Sequence, residues 1–179
     1  MRAMPIIVTA LLLLTACGGE GGGDGAKNDA KQASDACSLA TVNMEAGPAS
    51  VAPAAGDTGE VPVSLTNQSA ACTLDGFPEV SLVAGGEPIT LAPAEGATAQ
   101  KLTLAEGESA SFTISYVRGP EGAGRSLDAK TLEIGLPGDS ATREFRWSYG
   151  PVANLGEGGN ESGGTAADAT VGAFQRSGD

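Results

Sequence analysis

Glu106-Gly107-Glu108-Ser109-Ala110-Ser111-Phe112-Thr113-Ile114-Ser115-Tyr116 is a turn that runs into a strand. Beyond the Glu-Gly-Glu turn, Phe112, Ile114 and Tyr116 alternate with Thr113 and Ser115, the period of two that buries one face of a sheet and wets the other. The same pattern recurs on both sides. Upstream, Leu102 and Leu104 alternate with Lys101 and Thr103, Ile89 and Leu91 make a short piece, and Val80 and Leu82 lie between the turn Asp75-Gly76-Phe77-Pro78 and the hairpin signal Gly85-Gly86. Farther upstream, Val61, Val63 and Leu65 form a strand whose Pro62 cannot donate to a ladder and so predicts an edge. Leu39, Val42 and Met44 suggest an irregular first strand. Downstream, Leu132, Ile134 and Leu136 end at Pro137-Gly138, and Phe145, Trp147 and Tyr149 end at Gly150-Pro151. With no amphipathic helix between them, these pieces predict an all-β fold: an immunoglobulin-like antiparallel β-sandwich of seven to eight short strands over residues 37–155.

The flanks read differently. Residues 1–16 carry one basic residue, Arg2, and an apolar run from Ile6 to Leu14, too short for the ~20 residues that cross a bilayer but of signal-peptide length. Leu14-Thr15-Ala16-Cys17 then resembles the bacterial lipoprotein processing box, so Cys17 is the expected lipidation site and the first sixteen residues an expected lipoprotein signal peptide. Residues 17–36 add a lipidated Cys and a Gly/Asp-rich tether with too little apolar surface to order itself, reaching roughly 25 Å on average. No strand, Gly-Lys-Ser/Thr ending or helix accompanies its glycines, which sets a phosphate-cradling loop aside. Residues 156–179 return to Gly, Ser, Ala and acids and are expected to be a disordered polar tail, with Val171 and Phe174 as the only sizeable apolar residues.

Composition sharpens the location. The 179-residue chain has a formal charge of −12, and losing Arg2 takes it to −13. That opposes nucleic acid, whose binding rests on basic phosphate contacts, and opposes a basic patch on anionic lipid. The lipid bilayer would be reached through acylated Cys17 alone, which requires more than one acyl chain. The expected place is the outer face of the cytoplasmic membrane. Three cysteines are present; with Cys17 acylated, Cys37 and Cys72 remain. In an oxidising compartment such a pair predicts a disulfide, with a loop-entropy value of about 4 kcal/mol. A soft-metal pair and a redox pair are the alternatives, weakened by the lack of any histidine and of a Cys-x-x-Cys.

Leu65-Thr66-Asn67-Gln68-Ser69, then Cys72-Thr73-Leu74-Asp75-Gly76-Phe77-Pro78, then Val80-Ser81-Leu82, resembles a family of actinobacterial secreted lipoproteins that share a domain of unknown function (DUF4232-like). In that family a strand ending in Asn and a small polar residue leads to a Cys-x-Leu-x-Gly-aromatic-Pro turn. The resemblance extends over residues 37–150, strongest at 61–83. Glu106 stands where the family tends to have proline, and the second cysteine pair common in the later half is missing. The resemblance implies a β-sandwich lipoprotein domain and no particular activity.

Two features are candidates for a ligand-facing surface. Phe77, in the turn before Pro78, either plugs one end of the sandwich or faces a ligand. Trp147 and Tyr149 share a strand face with Phe145 and Arg143 and form either a stacking platform or the core against which both sheets pack. No catalytic residue is predicted. Without histidine, the usual general base near neutral pH and the Ser-His-acid arrangement are missing. Ser64, Ser81 and Ser111 with Lys101 and Lys130 match no motif, and Glu106 and Glu108 lie in an expected surface turn. No cofactor and no metal are expected. The sequence therefore points to a non-catalytic binding or interaction module of the cell envelope, for an envelope protein, a glycan or a small molecule. A structural envelope component and a histidine-free hydrolase are the alternatives.

Overall fold

The computed structural model describes residues 36–122, 125–157 and 165–177. In chain order the strands are β1 (Val42–Ala46), β2 (Thr58–Asn67), β3 (Cys72–Leu74), β4 (Glu79–Ala84), β5 (Glu87–Thr90), β6 (Ala92–Pro93), β7 (Leu102–Leu104) and β8 (Ser109–Val117). They continue as β9 (Ser126–Leu127), β10 (Ala129–Gly135), β11 (Thr142–Arg146), β12 (Val152–Glu157), β13 (Thr165–Ala167), β14 (Ala169–Val171) and β15 (Gln175–Arg176). The fold is all-β, and the residues that alternate in sequence alternate in burial. Val61, Val63 and Leu65 of β2 and Phe112, Ile114 and Tyr116 of β8 are buried, as are Val80, Leu82, Leu132 and Ile134 of β4 and β10. All of them meet in one hydrophobic core. At roughly 1.5–3 kcal/mol for each large side chain withdrawn from water, this shared core is the main stabilising term.

Four sheets carry it. The largest has the order β1-β2-β8-β14-β6, with β15 also paired to β8; the second is β11-β10-β4-β5; β13-β12-β9 and β3-β7 are smaller. Pairing is antiparallel except between β14 and β6. Among the described residues, fifteen strands thus replace the seven or eight expected. The excess comes from pieces of two or three residues such as β6, β9 and β15, too short to leave an alternating signature.

Two further expectations are corrected. β2 is an inner strand, between β1 and β8. Pro62 is tolerated because β1 has ended beside it: the last β1 pair is Ala46–Val63, and the Pro62 carbonyl accepts from Gly47 N at 2.8 Å. Its missing N–H faces that same side, past the end of the ladder. Part of the segment expected to be a disordered tail is sheet: β14 and β15 pair with β8, and Val171 and Phe174 are buried. The ordered domain therefore runs past residue 155. Apolar content alone misjudged it, because two apolar side chains suffice when a neighbouring strand satisfies the backbone.

At Gly59, paired with Tyr116, a Cβ would fall 2.5 Å from Tyr116 Cε1 and 2.7 Å from its hydroxyl. The glycine is demanded by space, since the Tyr116 ring lies across it. Gly59→Ala is expected to cost about 1–3 kcal/mol through overpacking, read as a lower urea midpoint with an unchanged slope.

Candidate functional site

β11 stops at Arg146, and the chain then turns Trp147 inward. Trp147 N donates to Lys130 O and Nε1 donates to Gly150 O at 2.7 Å, leaving the side chain 4% exposed. Its ring is held edge-on between Tyr116 at 5.0 Å and Tyr149 at 4.9 Å. The Tyr116 hydroxyl donates to Tyr149 O at 2.9 Å and accepts from Ala52 N at 3.3 Å. Of the two readings offered by the sequence, platform or core, the core one describes Trp147, and Tyr149 is half-buried against it. Each polar handle on the two buried rings has a partner, which is how an aromatic end cap is made without stranding a donor.

The Asp75–Pro78 turn has a different fate. Gly76 takes φ 128°, the conformation that favours glycine, and Asp75 pairs with Lys101 on the surface at 3.3 Å. Phe77 is half-exposed and lines a groove of about 340 Å³ on the outer side of the β4–β5–β10–β11 sheet. Pro78 and Leu91 continue its apolar wall. Ser81, Thr90 and Thr142 supply hydroxyls, and Glu79 and Glu133 supply carboxylates. Sequence reasoning reached Phe77 through its turn but missed the rest, because outward residues of a strand carry no local mark of what lies across the sheet from them.

Polar residues elsewhere fasten the fold. Asn67, fully buried, donates through Nδ2 to the carbonyls of Ser69, Ala70 and Leu104 and accepts from Ser69 N, fastening the β2–β3 connection. The disulfide joins Cys37 to Cys72. The first ordered segment is also clamped at Leu39: its N–H donates to Asp139 Oδ2 at 2.7 Å and its carbonyl accepts from Arg143 at 2.7 Å. Glu108 Oε2 accepts from Ala105 N at 2.8 Å and pairs with Arg176 at 2.7 Å, so this acid braces its own turn against β15. Lys101 and Lys130 are held in surface ion pairs with Asp75 and Asp128. Cys17 and the signal segment lie outside the described residues.

These contacts make stability acid-sensitive in a stated direction. The Leu39 and Ala141 amides hold the Asp139 carboxyl below its ordinary value, and the Ala105 amide followed by Arg176 does the same for Glu108. A lowered folded pKa contributes stability that is complete above the ordinary value, 3.8 for Asp139 and 4.5 for Glu108, and is lost as pH falls through the lower folded one. Asp139→Asn and Glu108→Gln should each flatten the fall of Tm below about pH 4.5, measured against the parent chain.

Comparison with known proteins gives one match. No curated protein matches the chain, and no solved structure does. A family model matches residues 37–175, which takes in the disulfide, the groove and the strands β14 and β15 as far as Gln175. On that extent the chain belongs to the family described as Domain of unknown function (DUF4232).

Proposed function

We propose that this chain is a membrane-tethered extracytoplasmic lipoprotein of actinobacterial type, with an immunoglobulin-like β-sandwich serving as a non-catalytic binding module of the cell envelope. One observation carries the reading: the fold uses Cys37 and Cys72 in a disulfide, accounting for two of three cysteines and leaving Cys17, behind Leu14-Thr15-Ala16, as the remaining one. A structural disulfide suits an oxidising compartment, and a cysteine at that place in a signal-like segment suits acylation. The groove lined by Phe77, Glu79 and Glu133 supports binding, and the lysines engaged in surface pairs weigh against a serine–lysine chemistry.

Intact-mass measurement of the membrane fraction tests the anchor. The expected product begins at Cys17 and carries diacylglycerol, and Cys17→Ala should move the protein to the soluble fraction. An unmodified soluble product starting elsewhere overturns it. Co-sedimentation of the labelled Cys17→Ala protein, which has no acyl chain to hold it, with isolated cell envelopes tests the binding role.

A further inference from the structure

The register of the second sheet sets its outward residues in rows. Thr90, Ser81, Glu133 and Glu144 form one row, and Glu79, Gly135 and Thr142 the next. Gly135 stands between Glu79 and Thr142 in that second row. A Cβ there would meet Glu79 Cβ at 3.4 Å and Glu79 Oε2 at 3.6 Å, both ordinary contacts, so neither backbone nor crowding demands glycine. The Glu79 carboxylate leans over it.

Charge decides what the space suits. No cation lines the groove. Glu133 and Glu144 stand directly opposite each other on adjacent strands, an arrangement of like charges that costs stability. Among the described residues neither they nor Glu79 has an ion pair, although Arg146 lies on the same face. Nor do three such groups converge as ligands for a metal ion among the described residues. Carboxylates strung along a groove whose other wall is Phe77, Pro78 and Leu91 suit an organic cation on an apolar stem.

We propose that this groove receives a lysine side chain of a partner polypeptide, with its ammonium between Glu79 and Glu133 and its four-carbon stem against Phe77 and Leu91. The inference rests on the binding-module reading above and names the chemistry of its partner. An ammonium has three donors, which two carboxylates and the Ser81 or Thr142 hydroxyl can accept, while its stem gains by leaving water. A partner bearing such a side chain also complements a chain of formal charge −12.

The test is backbone-amide NMR of the mature full chain titrated at low salt with a terminally blocked Gly-Lys-Gly peptide and its acetyl-lysine counterpart. Shift changes are expected on β4, β5 and β10 with the lysine peptide and not with the acetylated one. Glu133→Gln should weaken binding about tenfold without lowering Tm, as expected for loss of one charge-assisted hydrogen bond and of one like-charge contact. Glu60→Gln, on the other sheet, should leave it unchanged. The assignment is overturned by equal binding of the acetylated peptide or by an unaltered Glu133→Gln. If the Cys17→Ala protein still co-sediments with envelopes while the peptide fails, only the groove assignment falls; if neither binds, the binding-module reading falls with it.

Discussion

Phe174→Ala is expected to destabilise the domain by about 3–5 kcal/mol, the usual cost of emptying a buried aromatic site. Phe174 is 3% exposed and packs edge-on against Phe112 with ring centroids 5.4 Å apart. Phe112 belongs to β8, the strand on which β2, β14 and β15 all converge. A cavity here would therefore open beneath the middle of the largest sheet, where a glycine-poor, doubly flanked strand has little room to collapse. For a domain of this size the loss corresponds to a fall in Tm of roughly 10–20 °C by circular dichroism. The same substitution in a tail with no fixed place would leave Tm where it was, so a change below about 2 °C would remove the segment from the core. Ending the chain after Glu157 should be harsher still, because β8 loses both the β14 and β15 pairings and Val171 leaves with Phe174.

The second large effect belongs to the cross-link. Replacing Cys37 and Cys72 together by alanine is expected to cost about 2–5 kcal/mol, with loop entropy alone giving about 4 for the 35-residue separation. Most of that loss should come from a freer unfolded chain. The native segment keeps other holds, since Cys37 N donates to Thr73 O at 2.9 Å and Leu39 is clamped by Asp139 and Arg143. The urea midpoint should thus fall while the near-ultraviolet spectrum of the Tyr116–Trp147–Tyr149 cluster stays native. A reduced or doubly substituted protein with an unchanged midpoint would contradict the role given to the bond.

Much of this was legible because it is local. Phe112, Ile114 and Tyr116 declare their buried face by alternation alone, and Asp75-Gly76 declares a turn that glycine's φ of 128° then makes. What stayed hidden depends on partners far along the chain. Ala169–Val171 has no more strand character than a linker until β8 lies beside it and β6 on its other side. Trp147 obeys the alternation of β11 on paper, but the strand ends one residue earlier, and the Gly150 carbonyl captures the indole N–H. Pro62 signals an edge only if its neighbour is as long as its own strand, and β1 is not. The groove needs four strands in register before Glu79, Gly135 and Thr142 become a row.

The pairing of Ser111 with Gln175 imposes a schedule on the molecule. β8 can take β2 as a neighbour as soon as it is made, but its other flank waits for about sixty more residues to emerge. During synthesis the main sheet is thus half-finished, with one edge of β8 open to any passing strand. Of the side chains on its outward face, Ser109, Ser111, Thr113 and Ser115 are small and hydroxylated, and Val117 alone is apolar. A nascent chain built this way offers hydrogen bonds to a stray partner on one side but little apolar surface on its outer face. The polar face limits the hazard of completing the fold last-strand-last.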